Sequence, residues 1–344
     1  MRSKILKKSA KHVITSVMTL ILCINTNFSG DAQNRMLTEH YPAKRTVTEA
    51  KLRSQISFLC DTLCQGRGTG EKGGGIAAVW LQREFERIGL MKFGTGYAKA
   101  VWIEKGRIGR NIIGMLPGSK HFCRDRYVVI GAHYDHLGKL DGKVYPGADA
   151  NASGTVAMLN IAEMMATLRN QGKSHDCNII FVAFDAKECN MAGSKALWRM
   201  IEYGGLRDPQ SDALITKDKI ALMVNIDQIG STLSPLKSGR SDYMIMLGSH
   251  SLKPVKRDML QICNRMFAID MDLDLTYYGS SSFTRMFYRI SDQKVFIDNN
   301  IPAVMFTSGI TMNTNKTWDS VETIDFGILK KRIFLMYHWI DKML

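Results

Sequence analysis

The sequence predicts an α/β fold, a three-layer sandwich in which a mixed, mostly parallel sheet carries helices on both faces. Two runs, residues 127–132 and 178–184, are strongly apolar along their length, as in strands that are buried on both faces. Segments with apolar residues at helical spacing separate these runs, and such alternation is typical of a parallel sheet. Polar residues follow directly after the strands, where such sheets carry their functional side chains.

The predicted elements alternate along the chain from residue 46 onward. In the first helix Leu52, Ile56 and Leu59 recur at helical spacing, and Gly89 ends the second helix. The other boundaries follow from apolar runs between turn-forming residues. The predicted helices are 46–64, 76–88, 155–168, 193–203, 254–267 and 326–343, and the predicted strands are 111–116, 127–132, 178–184, 221–226, 243–247 and 303–307.

Residues 1–32 are predicted to be a signal peptide, and residues 33–344 a single domain. Basic residues near the start precede an apolar stretch, residues 13–24, that is too short to span a bilayer comfortably. Gly30 and Ala32 provide the small residues of a cleavage site before Gln33. No later stretch is long and apolar enough for a membrane span. We therefore expect an exported protein, periplasmic, extracellular or associated with the envelope.

The composition favours a globular protein with a solvated basic surface. The formal net charge is +14, and a charge of this size can attract acidic surfaces or nucleic acid. The sequence has no basic run interleaved with aromatic residues, so we expect no nucleic-acid partner. Cys60 and Cys64 lie one helical turn apart, but this spacing alone does not establish a disulfide.

Three of the predicted strands end at residues that could bind a metal ion. His133 and Asp135 follow residues 127–132, Glu188 follows the next strand, and Asp227 follows the third. Because the carboxyl ends of parallel strands meet at one edge of a sheet, we expect these side chains to lie close together. Histidine and carboxylate side chains are common zinc ligands in hydrolytic enzymes. The sequence therefore predicts a present or former metal site at this edge.

Seven ordered segments resemble the di-zinc aminopeptidase family, which includes bacterial leucyl aminopeptidases, glutamate carboxypeptidase and the transferrin receptor. The resemblance extends from about Leu52 to Leu344 and implies the zinc-peptidase fold. In that family a His, an Asp and a bridging carboxylate hold one zinc, while the bridge, a Glu and a second His hold the other. A further Glu acts as general base. The segments are CQGRGTGEKGGGIAAVWLQREFERIGL, NIIGMLPG, VVIGAHYDHLG, YPGADANASG, FVAFDAKECNMAGS, NIDQIG and SDQKVFIDNNIPAVMFTSG.

The resemblance assigns ligand and base positions, and this sequence keeps only half of them. His133, Glu188 and Asp227 stand at ligand positions. Asp135 stands where a carboxylate orients the ligand histidine. The bridging carboxylate falls on Ala150, which has no ligand atom.

The other two losses affect the general base and the last ligand. The base position falls on Lys187, whose ammonium group cannot accept a proton at neutral pH. The last ligand histidine falls on Asn315, and an amide is a poor zinc ligand beside imidazole. Gln293 stands where the family usually has a histidine. We expect the Lys187 ammonium to occupy the vacated space and to pair with Glu188 or Asp227.

These losses predict a secreted pseudo-peptidase that binds a peptide or protein ligand in the former substrate cleft, with no zinc or one weakly bound zinc. The alternative is an active exopeptidase that releases N-terminal residues from a rearranged, single-zinc site. Asp149, Asp292 or Cys189 would then replace a lost ligand, because carboxylates and thiolates bind zinc. A third alternative, a basic surface protein that binds nucleic acid or an anionic envelope, predicts steeply salt-dependent binding.

Overall fold

The computed structural model describes residues 30–119, 125–236 and 239–344, with side chains from Thr38 onward except Lys105. Most of the predicted signal peptide lies outside the described residues, so the signal peptide and its cleavage stay predictions. The chain divides between Pro42 and Ala43 into two units, and the second unit contains the whole sheet. None of the described helices is long and apolar enough to cross a membrane.

Helices and strands alternate through most of the described chain. The helices are α1 (Gly30–Arg45), α2 (Glu49–Cys60), α3 (Lys72–Ile88), α4 (Gly154–Asn170), α5 (Ala192–Glu202), α6 (Pro254–Met266), α7 (Ser281–Phe287), α8 (Lys294–Asp298) and α9 (Phe326–Met343). The strands are β1 (Met91–Lys92), β2 (Ala98–Trp102), β3 (Ile108–Leu116), β4 (Tyr127–His133), β5 (Lys139–Leu140), β6 (Lys143–Val144), β7 (Asn178–Phe184), β8 (Ile220–Ile226), β9 (Tyr243–Leu247), β10 (Asp272–Asp274) and β11 (Ala303–Thr307).

One large sheet holds all of these strands except the small β5–β6 hairpin. Its strand order is β1-β3-β7-β4-β8-β11-β9-β10, and β2 also pairs with β3. The four central strands, β7, β4, β8 and β11, are parallel, whereas β3 and β9 flank them in antiparallel pairs. The carboxyl ends of the four central strands therefore meet at one edge of the sheet.

Helices cover both faces of the sheet, which confirms the predicted three-layer α/β fold. On one face, Val129 and Val182 pack in a buried cluster with Trp198 of α5 and Phe296 of α8. The rings of Trp198 and Phe296 meet edge to face at 5.8 Å. Helices α3, α4 and α9 lie on the other side, where α4 contacts β4 and β8. Burying each large apolar side chain contributes about 1.5–3 kcal/mol.

Local sequence signals explain where several helices begin and end. The Thr48 hydroxyl accepts a hydrogen bond from the N–H of Lys51 at the start of α2, and Asp325 does the same for Ile328 at the start of α9. Helix α3 ends at Gly89, which has a left-handed φ of 83° that glycine adopts without steric cost.

The structure confirms each predicted helix and strand, with small shifts at some ends, and adds elements that the patterns missed. Strands β7, β9 and β11 have the predicted limits. The missed strand β2 is a short edge strand in which only Val101 is fully buried. Helix α7 has no fully buried residue. Neither element therefore has the apolar periodicity on which prediction depends.

Candidate functional site

A cavity of about 190 Å³ opens where the four parallel strands end. Lys187, from the turn after β7, and Asp227, directly after β8, lie on its polar wall. Ala150 and Asn315, the two positions at which a ligand is missing, also line it. The structure therefore brings the residues after β7 and after β8 together at this cavity, and Asp227 is the retained ligand-type residue that lines it.

The opposite wall of the cavity is apolar. It consists of Tyr277, Phe287, Ile290, Met305 and Ile310. Tyr277 and Phe287 stack with ring centroids 4.0 Å apart. Sequence reasoning missed this wall because most of it comes from the short helix α7 and irregular loops. The closely spaced aromatic residues between 277 and 287 were the only signal.

His133 and Asp227 form a buried ion pair with each other. His133 Nε2 lies 3.3 Å from Asp227 Oδ1, and both side chains are almost fully buried. Burial alone would lower the pKa of His133 because it disfavours the imidazolium charge. The attraction of the Asp227 carboxylate is stronger than this effect and raises the pKa of His133 to about 10. Burial likewise opposes the carboxylate, but the His133 charge holds the pKa of Asp227 well below its usual range. Both groups are therefore charged at neutral pH.

Lys187 and Glu188 form a second ion pair beside the first. Lys187 Nζ lies 2.9 Å from Glu188 Oε1, which confirms the predicted pairing of Lys187 with Glu188. Burial alone would lower the pKa of Lys187 because it disfavours the ammonium charge. The attraction of the Asp227 and Glu188 carboxylates is stronger than this effect and raises the pKa of Lys187 above its usual range. The ammonium group therefore keeps its proton and cannot serve as a base at neutral pH.

Asp149 does not line the cavity, although it directly precedes Ala150. Its carboxylate accepts hydrogen bonds from the backbone N–H groups of Gly230 at 2.7 Å and Ser231 at 3.2 Å, and from the Ser231 hydroxyl. Asp319 in turn accepts hydrogen bonds from the N–H groups of Asp149 and Ala150. The carboxylate of Asp149 thus fastens the loop after β8, so it does not take the place of the missing bridge.

Asp292 and Cys189 do not line the cavity either. Asp292 is fully buried, and burial raises its pKa to about 7 although the nearby His133 charge opposes this shift. Cys189 Sγ lies 4.0 Å from Arg107 Nη2 and lines a separate groove. Burial raises the pKa of the Cys189 thiol, so its zinc-binding thiolate form is disfavoured.

Asp135 contacts His133, as predicted, and has a second partner in the turn after β7. His133 Nδ1 lies 3.1 Å from the main-chain oxygen of Asp135, whereas the Asp135 carboxylate is 3.6 Å away. The other oxygen of that carboxylate accepts a hydrogen bond from the N–H of Glu188 at 3.1 Å. The main chain and the carboxylate of Asp135 thus both contact the imidazole, and the carboxylate also connects the end of β4 to the turn after β7.

Two buried arginines hold the loops around the cavity. The Arg67 guanidinium donates hydrogen bonds to the main-chain oxygens of Leu59, Tyr134, Pro146 and Gly147. It thereby anchors the loop that leads to Ala150. Its neighbours Gly66 and Gly68 could have suggested a phosphate site, but a guanidinium that is buried and bonded in this way has a structural role.

Arg332 of α9 has the same role on the other side of the site. Its guanidinium donates hydrogen bonds to the main-chain oxygens of Ile229, Ser231 and Tyr243 at 2.7–2.9 Å. These bonds fix the loop after Asp227. Sequence reasoning missed both arginines because their acceptors are main-chain atoms far away in the sequence.

The model of the peptidase family M28 matches residues 111–339, about two thirds of the chain. This match covers all four central strands and the site at their ends. The chain belongs to peptidase family M28. The family assignment confirms the resemblance to zinc aminopeptidases that the sequence motifs carry.

Curated proteins similar to this chain include fungal leucine aminopeptidases. Leucine aminopeptidase 1 of Aspergillus niger is 27% identical over 227 residues, which is 63% of this chain and 50% of the relative. Leucine aminopeptidase 1 of Aspergillus clavatus is 23% identical over 260 residues, which is 73% of this chain and 60% of the relative. The chain thus spans about half the length of the curated relatives that it matches.

Solved structures with the same fold include the LapA aminopeptidase of Legionella pneumophila, with a TM-score of 0.65, 16% identity, and coverage of 88% of this chain and 73% of that one. Porphyromonas gingivalis glutaminyl cyclase has a TM-score of 0.60 and 16% identity over 86% of this chain and 99% of that one. BSAP, a zinc aminopeptidase from Bacillus subtilis, has a TM-score of 0.51 at 20% identity, covering 70% and 51%. At these identities the likeness shows the fold alone.

The residues at the cavity do not fit the pair of zinc ions that the family resemblance implies. Among the described residues, no group of three or more His, Cys, Asp and Glu side chains has a metal-binding arrangement. Glu188 is paired with Lys187, and of the retained ligand-type residues only His133 and Asp227 contact each other. Ala150 supplies no donor atom. A zinc site normally needs about four ligands, and this set does not provide them.

Proposed function

We propose that this chain is an M28 family member that binds a peptide or protein partner and does not hydrolyse it. One observation carries the proposal: the retained ligand-type residues form ion pairs, His133 with Asp227 and Glu188 with Lys187. Because these four charges cancel in two pairs, no divalent cation is needed to offset repulsion between the carboxylates.

The same residues argue against hydrolysis. The resemblance requires a bridging carboxylate and a general base, and their positions are occupied by Ala150 and a protonated Lys187. The loss of a general base alone typically slows a reaction by about 10²–10⁴-fold. A missing metal-bound water would slow it further. We therefore expect no peptidase activity above background.

The size and lining of the cavity favour one apolar side chain of a larger partner. Its volume of about 190 Å³ is smaller than the roughly 300–1,000 Å³ of typical small-molecule sites. Tyr277, Phe287 and Ile290 offer apolar contacts on one wall. The charges on the opposite wall are paired with each other. This wall therefore does not favour a strongly charged ligand.

Apolar side chains near the cavity extend this surface. Phe283 and Met286 on α7 are 53% and 48% exposed, and Met312 is 81% exposed. Phe283 contacts Phe287 of the cavity wall, with ring centroids 6.1 Å apart. Exposed apolar groups that cluster in this way mark protein-binding surfaces. The partner would therefore be a peptide or protein that inserts an apolar residue.

We also propose that the protein works outside the cytoplasm. Support comes from the basic start of the sequence and the short apolar stretch at residues 13–24. N-terminal sequencing of the protein purified from the envelope or the medium should begin at Gln33. A start at Met1 would contradict export by this signal.

Metal content and activity, measured together, test the loss of hydrolysis. The purified protein, dialysed against zinc and then against metal-free buffer, should retain less than stoichiometric zinc and should not release p-nitroaniline from leucine p-nitroanilide. The restored variant Ala150→Asp/Lys187→Glu/Asn315→His is the matched control, and it should bind zinc in calorimetric titration. Stoichiometric zinc and substrate turnover in the unmodified protein would instead establish the alternative, a rearranged single-zinc exopeptidase.

A peptide selection tests the binding function. Nine-residue peptides with one fixed apolar residue and randomised flanks are displayed and selected on the immobilised protein. Ile290→Asp should abolish recovery of the selected peptides, because it places a charge in the cavity wall. Ile262→Asp on α6 is the matched control, since Ile262 and Ile290 are 43% and 42% exposed. The binding proposal is wrong if no peptide is enriched, or if Ile290→Asp and Ile262→Asp behave alike.

A further inference from the structure

We propose that a basic groove beside the cavity binds an acidic segment of the same peptide partner, a refinement that rests on the proposed function. The basic groove has a volume of about 460 Å³ and lies between the end of β2 and the start of α5. Its charged lining residues are Glu104, Arg107, Glu188, Lys195 and Arg199, and Trp102 and Cys189 lie beside them.

The charges of the basic groove are unbalanced, in contrast with those of the cavity. Arg107, Lys195 and Arg199 take part in none of the ion pairs found among the described residues. Glu188 faces the groove, but the Lys187 ammonium already pairs with it. Glu104, the other carboxylate of the groove, offsets one of the three cations. The groove keeps an excess of positive charge within reach of a ligand, and a segment with several carboxylates complements it.

One ion pair connects the basic groove to the cavity. Lys187 lines the cavity and Glu188 lines the groove. Their Nζ and Oε1 atoms are 2.9 Å apart, so the two sites are separated by little more than this pair. A peptide with an apolar residue in the cavity can therefore place its neighbouring residues in the groove.

The surroundings of the groove favour an extended peptide over a free anion. Within the described chain, β2 forms a ladder with β3 alone and is therefore an edge strand, the kind of strand to which an extended peptide can add. Trp102, at the end of β2, is 72% exposed and offers a flat apolar surface next to Arg107. A phosphate ion would use only the cations, whereas a peptide can use the cations, the ring and the strand edge.

Fluorescence anisotropy with three labelled peptides tests the basic groove. The peptides share one leucine and differ in an adjacent run of four residues, which are Glu, Gln or Lys. We expect the Glu peptide to bind most tightly and to lose about tenfold in affinity in the variant Arg107→Gln/Lys195→Gln/Arg199→Gln. Its binding should also weaken as salt is raised. The Gln peptide should bind both proteins equally.

A charge-matched control is Lys217→Gln/Lys253→Gln/Lys256→Gln, which removes three cations that do not line the groove. It should leave the affinity for the Glu peptide unchanged. Equal loss in the two triple variants, or equal affinities for the Glu and Gln peptides, would overturn the assignment of the groove. Inorganic phosphate is also tested as a competitor of the labelled Glu peptide at constant ionic strength. If phosphate competes as effectively as unlabelled Glu peptide, the ligand of the groove is a free anion and the proposal of an acidic peptide is wrong.

The variant Ile290→Asp separates this inference from the proposed function. If Ile290→Asp abolishes binding of all three peptides, while the wild type binds them without preference for Glu, only the groove assignment fails. If the Glu peptide binds Ile290→Asp as well as the wild type but is lost in the groove variant, the groove is confirmed and the cavity role fails. If the wild type binds none of the three peptides, both fail.

Discussion

The centre of the site and the loops around it use their charged side chains differently. In the centre, charges pair with each other, as Lys187 does with Glu188. Around the centre, charged side chains bond to the main chain: Arg67 and Arg332 donate to carbonyl groups, and Asp149 accepts from N–H groups. We call the residues that bond to the main chain in this way the frame of the site.

This difference determines which changes the protein tolerates. A side chain in the centre can be exchanged together with its partner, because replacement of a whole buried pair is often close to neutral. A frame residue bonds mostly to main-chain groups, which no substitution can change together with it. Each main-chain group that it leaves buried and unpaired costs about 1–3 kcal/mol. The shape of the cavity can therefore persist after the metal-binding residues have changed.

The largest effect is expected in the frame. Arg67→Met would leave the main-chain oxygens of Leu59, Tyr134, Pro146 and Gly147 without their donor. We expect the free energy of unfolding to fall by about 5 kcal/mol or more. Guanidinium denaturation followed by tryptophan fluorescence measures this. The exposed control Arg257→Met should stay within about 0.5 kcal/mol of wild type. A loss below about 1 kcal/mol for Arg67→Met would remove the distinction between frame and centre.

A charge reversal in the centre should have the next largest effect. Lys187→Glu places a carboxylate beside Glu188 and Asp227, so we expect a loss of about 4 kcal/mol in unfolding free energy. The exchange Lys187→Glu/Glu188→Lys keeps one charge of each sign and should recover at least half of that loss. The same denaturation series measures both variants. If the exchange were as damaging as the single reversal, the pairing would not be the source of the stability.

Breaking the His133–Asp227 pair should cost less, and the cost should depend on pH. The pKa of His133 is raised from 6.5 to about 10, so its contribution is complete below pH 6.5 and is lost as the pH rises toward 10. The pKa of Asp227 is lowered from its ordinary value of 3.8. Asp227 therefore contributes stability at pH values above 3.8, and this contribution is lost as the pH falls through the lowered pKa. Asp227→Asn should therefore cost about 3 kcal/mol near pH 5.5 and less near pH 9.

The measurement compares the unfolding free energies of wild type and Asp227→Asn from about pH 5.5 to pH 9. Unfolding free energies are taken by denaturation at each pH, and the two curves should converge above pH 6.5, where wild type loses the contribution of His133. Curves that stay parallel from acid to alkaline pH would show that the ion pair is not charged in the folded state.

The residues at the centre of the site could be predicted from the sequence because they directly follow the ends of strands. Strand β7 is apolar from Ile179 to Phe184, so its end and the position of Lys187 could be read directly. The parallel order of the strands then placed Lys187 beside Asp227. The absence of a ligand atom at Ala150 could be recognised because the motif YPGADANASG leads directly into helix α4.

The frame and the apolar wall could not be predicted, for physical reasons. Arg67 bonds to carbonyl groups up to 80 residues away, and every residue has a carbonyl group, so no residue type signals the contact. Tyr277 and Phe287 form the wall through an aromatic stack at the edges of a seven-residue helix. A helix of this length is too short to show periodicity.

Cys189 lies just outside the centre of the site, so its substitution should have the smallest effect on stability and on zinc binding. It directly follows Glu188, yet its Sγ lies in the basic groove, 4.0 Å from Arg107 Nη2, and does not line the cavity. Cys189→Ala should therefore change the unfolding free energy by less than about 0.5 kcal/mol and leave zinc titration unchanged. If Cys189 instead replaced a lost ligand, the substitution would weaken zinc binding by about tenfold or more. That result would extend the centre beyond the two ion pairs and restore the case for a single-zinc site.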